Sequence, residues 1–174
     1  VNVTNVNEAP SFTSIASFSA AENQTAIGTV TAVDVDGDSV TFTVFGSELA
    51  ITSAGVLTFT SAPDYETKST YTSTVIATDG TNIFSQDITV NVTNINDIAP
   101  VFTSDATISA AENQTAIGTV TATDLATLTF TVSGTDLAIT TDGVLSFVSA
   151  PDFETQNTYT ATVTATDASA NVAT

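Results

Sequence analysis

The sequence contains no cysteine, histidine, arginine, methionine or tryptophan, and Lys68 is its only basic side chain. Without cysteine there is no disulfide framework and no thiolate metal site, so stability must come from core packing or from hard metal ions held by oxygen. Without a set of lysines and arginines the chain cannot neutralise phosphates, which excludes nucleic acid and anionic membrane surfaces as partners. General acid–base and nucleophilic chemistry draws most often on His, Cys and Lys, of which there are none, none and one, and no enzyme is expected. No apolar run of about 18 residues or more is present, and no membrane insertion is expected.

What the sequence does have is acid and threonine. Asp and Glu number 19 in 174 residues, leaving a net charge of -18 and a pI near 4.1. Hydrophobic residues at 42% suffice for a packed core. Thr occurs 37 times, and Thr with Val, Ile and Phe suits half-buried pleated surfaces, so an all-β protein is expected.

The chain repeats itself. The segment Ala20 to Ala32, reading AENQTAIGTVTA after its first Ala, returns letter for letter at Ala110 to Ala122. Downstream, Ala62-Pro63-Asp64-Tyr65-Glu66-Thr67 returns as Ala150-Pro151-Asp152-Phe153-Glu154-Thr155, and Ala77-Thr78-Asp79 as Ala165-Thr166-Asp167. The offset falls from 90 to 88 where Asp34-Val35-Asp36-Gly37-Asp38-Ser39-Val40 is replaced by Asp124-Leu125-Ala126-Thr127-Leu128. The opening Val1 to Glu8 matches Val90 to Asp97 and reads as the tail and linker of a preceding repeat. The division expected is therefore 1–8 as that tail, 9–98 as one repeat with its linker, and 99–174 as a second repeat with its last strand incomplete.

Within each repeat, short apolar-alternating runs are separated by turn residues about every ten positions, the pattern of an antiparallel sandwich. Seven strands are expected in the first: 12–19, 26–33, 40–45, 49–52, 56–60, 70–78 and 83–93. Val40, Phe42 and Val44 share one face and Tyr71, Ser73, Val75 and Ala77 another, and these faces should meet in the core. Glycines in Asp36-Gly37-Asp38, Ala54-Gly55 and Asp79-Gly80 suit turns. The fold expected is two tandem seven-stranded Greek-key β-sandwiches, joined end to end by a linker without glycine into a rod.

Carboxylates that merely solvate a surface should scatter over outward strand faces, whereas these concentrate in turns. Glu22, Asp64 and Glu66 fall at the end of repeat one that leads into the linker, Asp97 lies in the linker, and Asp124 and Asp167 close strands at the facing end of repeat two. Six carboxylates so gathered repel one another unless a cation intervenes. An all-oxygen site with flexible geometry points to Ca²⁺ ahead of Mg²⁺. Glu48, Asp87, Asp105, Asp136 and Asp142 read as solubilising residues, and the sequons at Asn2, Asn23, Asn91 and Asn113 carry little weight in a threonine-rich chain.

Taken in order, Ala21-Glu22-Asn23, Asp34-Val35-Asp36, Asp64-Tyr65-Glu66, Ala77-Thr78-Asp79 and the linker Asn94-Ile95-Asn96-Asp97-Ile98-Ala99-Pro100 resemble the motifs of the cadherin-type repeat, and the first, third and fourth recur in the second copy, where Asp124-Leu125-Ala126 keeps only the first carboxylate of the second motif. The texture is similar to the cadherin-like repeats of large bacterial surface proteins. The resemblance implies calcium ions at the junction, with Asn94 and Asn96 adding carbonyl or amide oxygens to Glu22, Asp64, Glu66, Asp97, Asp124 and Asp167. It also implies an N-terminal half-site of Asn7, Glu8, Asp34, Asp36 and Asp79, and a C-terminal half-site of Glu112, Asp152 and Glu154. Asn94 and Ile98 depart from the linker motif, and Ala126 removes a carboxylate from repeat two.

The function this implies is a calcium-stiffened extracellular structural and adhesive module, secreted or on a bacterial cell surface, whose partners are neighbouring repeats of one array. Two alternatives stay open: a carbohydrate-binding repeat gripping a cell-surface or matrix polysaccharide, and a subunit of an extracellular fibre built by strand addition. The second follows from the alignment of Thr174 with Gln86, which leaves repeat two without a counterpart of Asp87 to Val92. Head-to-tail copies, with Val1 to Asn5 of one completing the sandwich of the next, would supply it.

Overall fold

The computed structural model describes all 174 residues, and it is all β, with no helix. The chain separates into two compact units, Val1–Ile95 and Asn96–Thr174.

The first unit holds β1 (Ser11–Phe12), β2 (Ser17–Ala21), β3 (Ala26–Thr29), β4 (Ala32–Val33), β5 (Thr41–Val44), β6 (Leu49–Ile51), β7 (Val56–Phe59), β8 (Thr70–Thr78) and β9 (Ile83–Thr93). One sheet runs β2-β9-β8-β5, a second β3-β7-β6, and β1 pairs with β4. Strand alternation decides what lies between them. Phe42 faces Ala77 and Val44 faces Val75 across β5 and β8, while Tyr71 is opposite Val90 across β8 and β9. Phe42, Val75, Ala77, Val90 and Val92 from this sheet form the core with Leu49, Leu57 and Phe59 of the other. The Phe59 and Tyr71 rings meet edge to face, 5.0 Å between centroids. The expected facing of the alternating runs is thus observed.

Two of the seven expected strands are each broken in two. The run 12–19 divides at residues 13–16 because Thr13 N–H and Ser14 N–H both donate to the single carbonyl of Thr31, at 2.8 and 3.2 Å. Past this point the chain leaves its antiparallel partner β4 and joins β9 in parallel. The run 26–33 divides where Val30 N–H turns aside to donate to Gly55 O at 2.9 Å. Gly55, at φ 89°, approaches so closely that a Cβ there would lie 2.2 Å from the Val30 carbonyl oxygen.

The second unit repeats the plan with β10 (Val101–Phe102), β11 (Ala116–Thr119), β12 (Ala122–Thr123), β13 (Leu128–Val132), β14 (Leu137–Ile139), β15 (Val144–Phe147), β16 (Val163–Asp167) and β17 (Val172–Ala173). Its sheets run β13-β16-β17 and β11-β15-β14, with β10 paired to β12. Val120, Phe130, Leu145 and Ala165 form a smaller core. Residues 107–111 and 158–162, whose counterparts in the first unit are β2 and the start of β8, are not in strands here. In the first unit both segments pair with residues 89–93 of β9 or its neighbours, and β17 reaches only the counterpart of Ser85. Ile108 is 37% exposed as a result.

Candidate metal centres

The turn after β2 brings Glu22 inward. Asn23 adopts φ 61°, a left-handed conformation that asparagine tolerates better than most residues, and its N–H donates to Pro63 O at 2.9 Å. Glu22 is thereby buried, with 1% exposure. Its two carboxylate oxygens accept the backbone N–H groups of Tyr65 at 2.8 Å and Ile95 at 2.7 Å. Asp64 accepts from the Thr67 hydroxyl at 2.9 Å and from Thr67 N–H at 3.2 Å, bonds that hold its carboxyl below the ordinary value. Carboxylate oxygens of Glu22, Asp64 and Glu66 lie within 4.8 Å of one another, and Asn94 Nδ2 donates to Glu66 at 2.9 Å. Lys68 does not neutralise this triad: its ammonium pairs with Glu48 at 2.5 Å and stands 4.4 Å over the Tyr71 ring.

The second unit builds the same triad from Glu112, Asp152 and Glu154, again within 4.8 Å, but all three are exposed. Glu112 accepts Phe153 N–H at 3.0 Å. The Thr155 hydroxyl, at 2.9 Å, holds the Asp152 carboxyl below its ordinary value.

A second kind of acidic group forms where the strand after each Asp-rich turn meets the segment leading into the unit. In the first unit Asn7 Nδ2 donates to Asp79 at 3.0 Å, and Glu8 N–H donates to Asp36 at 3.0 Å. Asn5 also donates to Asp36. These bonds, from the Asn5 side chain first and Glu8 N–H next, pull the Asp36 carboxyl down. Loss of water and the neighbouring Asp36 push Glu8 up. Asp79 is held down by the N–H groups of Asn82 and Thr81, each 2.6 Å from its Oδ1. Asn7 Oδ1 and Asp34 Oδ2 are buried without a hydrogen-bond partner. That is costly unless a cation takes those lone pairs.

In the second unit Asn96 Nδ2 donates to both Asp124, at 3.0 Å, and Asp167, at 2.8 Å. Asp167 is 6% exposed. Burial pushes its carboxyl up, but bonds from the Asn171 side chain and N–H, Ser169 N–H and Asn96 outweigh this and leave it lowered. Ala126 stands where Asp36 stands in the first unit, so the bonds Asp36 accepts have no counterpart.

The residues singled out from sequence therefore fall into four sets. Glu22, Asp64, Glu66 and Asn94 belong to the first unit, as do Asn7, Glu8, Asp34, Asp36 and Asp79. Asn96, Asp97, Asp124 and Asp167 belong to the second, with Glu112, Asp152 and Glu154 as its other set. Asp97 is exposed. Sequence reading missed Asn82 and Asn171, which bond the lead-in segments. The available signal was an Asn three or four residues past each Ala-Thr-Asp.

These features define a class: tandem all-β sandwiches carrying acidic, all-oxygen donor sets in their turns. No family model matches the sequence, and no curated protein matches it. Solved structures do match. Human protocadherin-24 EC1-2 aligns with a TM-score of 0.71 at 20% identity, covering 93% of this chain and 88% of that one. Mouse cadherin-23 EC22-24 aligns with 0.68 at 25% identity, covering 97% of this chain and 64% of that one. Drosophila N-cadherin EC1-4 aligns with 0.64 at 21% identity, covering 96% and 48%. The chain has the fold of tandem cadherin extracellular repeats. These three structures are of animal proteins and lend no support to the bacterial comparison drawn from sequence texture.

Proposed function

We propose that the chain is a calcium-binding extracellular module whose work is structural and adhesive. Glu22, Asp64 and Glu66 with oxygens of Asn94 hold calcium in the first unit, and Asp97, Asp124 and Asp167 with oxygens of Asn96 hold it in the second. Asn7, Glu8, Asp34, Asp36 and Asp79 in the first unit, and Glu112, Asp152 and Glu154 in the second, supply further oxygen donors for calcium. The observation that carries this reading is the carboxylate triad with oxygens within 4.8 Å and no basic side chain among them. Partnerless Asn7 Oδ1 and Asp34 Oδ2 add to it. A donor set made wholly of carboxylate, amide and carbonyl oxygen suits calcium, which accepts six to eight such ligands in flexible geometry. Cadherin repeats as structural neighbours support the extracellular, adhesive setting. No helix is long and apolar enough to cross a membrane.

Calorimetric titration of the chain with calcium tests the reading. Binding is expected, and Glu66→Ala should weaken it by removing one ligand and the acceptor of Asn94. The reading fails if the chain takes up no calcium, or if Glu66→Ala, Asp124→Ala and Asp167→Ala all bind as the parent does.

A further inference from the structure

Two asparagines outside every set above occupy the same place in the two units. Asn82 Nδ2 donates to the carbonyl oxygens of Asn7, at 2.9 Å, and Glu8, at 3.2 Å. Asn171 Nδ2 donates to the carbonyl oxygen of Asn96, at 3.0 Å, and to Asp167 Oδ2, at 2.8 Å. The bonds to the carbonyls of Asn7 and Asn96 each span 75 residues. The backbone N–H of each asparagine meanwhile donates to the Asp that precedes it, Asn82 to Asp79 at 2.6 Å and Asn171 to Asp167 at 2.8 Å.

The coincidence is not a matter of loop length. Asp79 to Asn82 is a step of three residues and Asp167 to Asn171 a step of four, and the extra residue is absorbed by Ala170 at φ 70°. Two loops of different length and sequence, Gly80-Thr81 and Ala168-Ser169-Ala170, thus deliver the same carboxamide to the same backbone oxygen. Each asparagine is half-buried, and an amide N–H is the one group there that donates both to a carbonyl and, in the second unit, to a carboxylate. Each fixes two things at once: the carboxylate of the Asp and the path of the segment bearing Asn7 or Asn96. Asn7 and Asn96 are the residues whose side chains reach Asp79, and Asp124 with Asp167.

We propose that Asn82 and Asn171 are positioning residues that clamp the lead-in segment onto its unit in the metal-free protein. The clamp sets out the oxygens of that segment and of the neighbouring Asp for a divalent cation that the asparagines themselves do not touch. The part concerning the cation rests on the calcium reading above. Holding the segment beforehand removes ordering from the binding step, and groups that orient metal ligands in this way are typically worth about 10- to 100-fold in affinity.

The test uses the whole chain and Asn171→Ala. In chelator, amide hydrogen exchange by NMR should quicken at residues 96–98 and stay unchanged at Leu145 and Ala165 of the core. In calcium, calorimetry should show affinity reduced about ten-fold or more with the number of ions unaltered. Exchange at the parent rate in chelator overturns the clamp. Faster exchange with unaltered calcium affinity overturns its role toward the cation. If the parent chain binds no calcium, the calcium reading and the role toward the cation fall together, and the exchange measurement alone decides whether the asparagines hold the segment. Should Asn171→Ala not fold, Asn82→Ala read at residues 7–9 gives the same decision in the larger-cored unit.

Discussion

Glu22 and Glu112 are the same residue of the same repeated motif, yet one is buried with both oxygens bonded and the other is exposed with one bond. What separates them is Ile95 N–H, supplied by the segment that follows β9 in the first unit. The type and spacing of these acids were legible in the sequence, since Asp and Glu at turn positions read directly as oxygen donors. The asparagine clamps were not legible, because a hydrogen bond across 75 residues leaves no local pattern and the two loops differ in length. The titration of these groups carries an expectation in chelator. Asp36, Asp64, Asp79, Asp152 and Asp167 are all lowered from 3.8 by hydrogen bonds to their charged forms. Their stabilisation is present above the unfolded value and lost as pH falls through the lower folded values. Glu8, raised, works in the opposite sense. The share of metal-free stability these bonds supply should therefore hold down to about pH 5 and be lost below about pH 4, and NMR titration that finds the five carboxyls no lower than ordinary aspartates would count against these bonds. At Ala126 the expectation is a gain. Ala126→Asp supplies the carboxylate that Asp36 supplies in the first unit and should raise calcium affinity in calorimetry, while an unchanged affinity would detach this turn from the site.

At the scale of elements, the alternating runs were easy to read because period two has only one interpretation once one face is buried. The broken first and second strands were not. Their breaks depend on two N–H groups sharing the Thr31 carbonyl and on Val30 reaching Gly55, contacts between residues 17 to 25 apart. Nor does periodicity say that β2 pairs in parallel with β9, since register and direction come from the partner. Gly55 shows what such a contact demands. A Cβ there would meet the Val30 carbonyl at 2.2 Å in a backbone at φ 89°, so Gly55→Ala should destabilise the first unit by about 1–3 kcal/mol or more. Gly143→Ala should do the same in the second, where the distance is 2.3 Å. Leu57, fully buried between the sheets, should cost about 2–5 kcal/mol on change to Ala. Chemical denaturation checks all three, and a loss below about 0.5 kcal/mol at Gly55 would contradict the close approach.

For the whole molecule, the decisive quantity is a net charge of -18 carried with one lysine. Self-repulsion on that scale opposes compaction, and the carboxylates that cluster add to it locally. Cations that bind only the folded chain offset the repulsion and stabilise by mass action, by about 2.7 kcal/mol for a site at a hundred times its dissociation constant. In domains of this size that corresponds to roughly 10 °C in melting temperature. The repeat was visible in the sequence because letter-for-letter duplication needs no structure to detect, and the all-β class because threonine, valine, isoleucine and phenylalanine dominate the alternating runs. The measurement that bears most directly on calcium binding is the melting curve of the chain in chelator and in millimolar calcium at fixed ionic strength. The melting temperature should rise by roughly 10 °C or more with calcium and far less with an equal ionic strength of sodium. Identical curves in chelator and in calcium would contradict it.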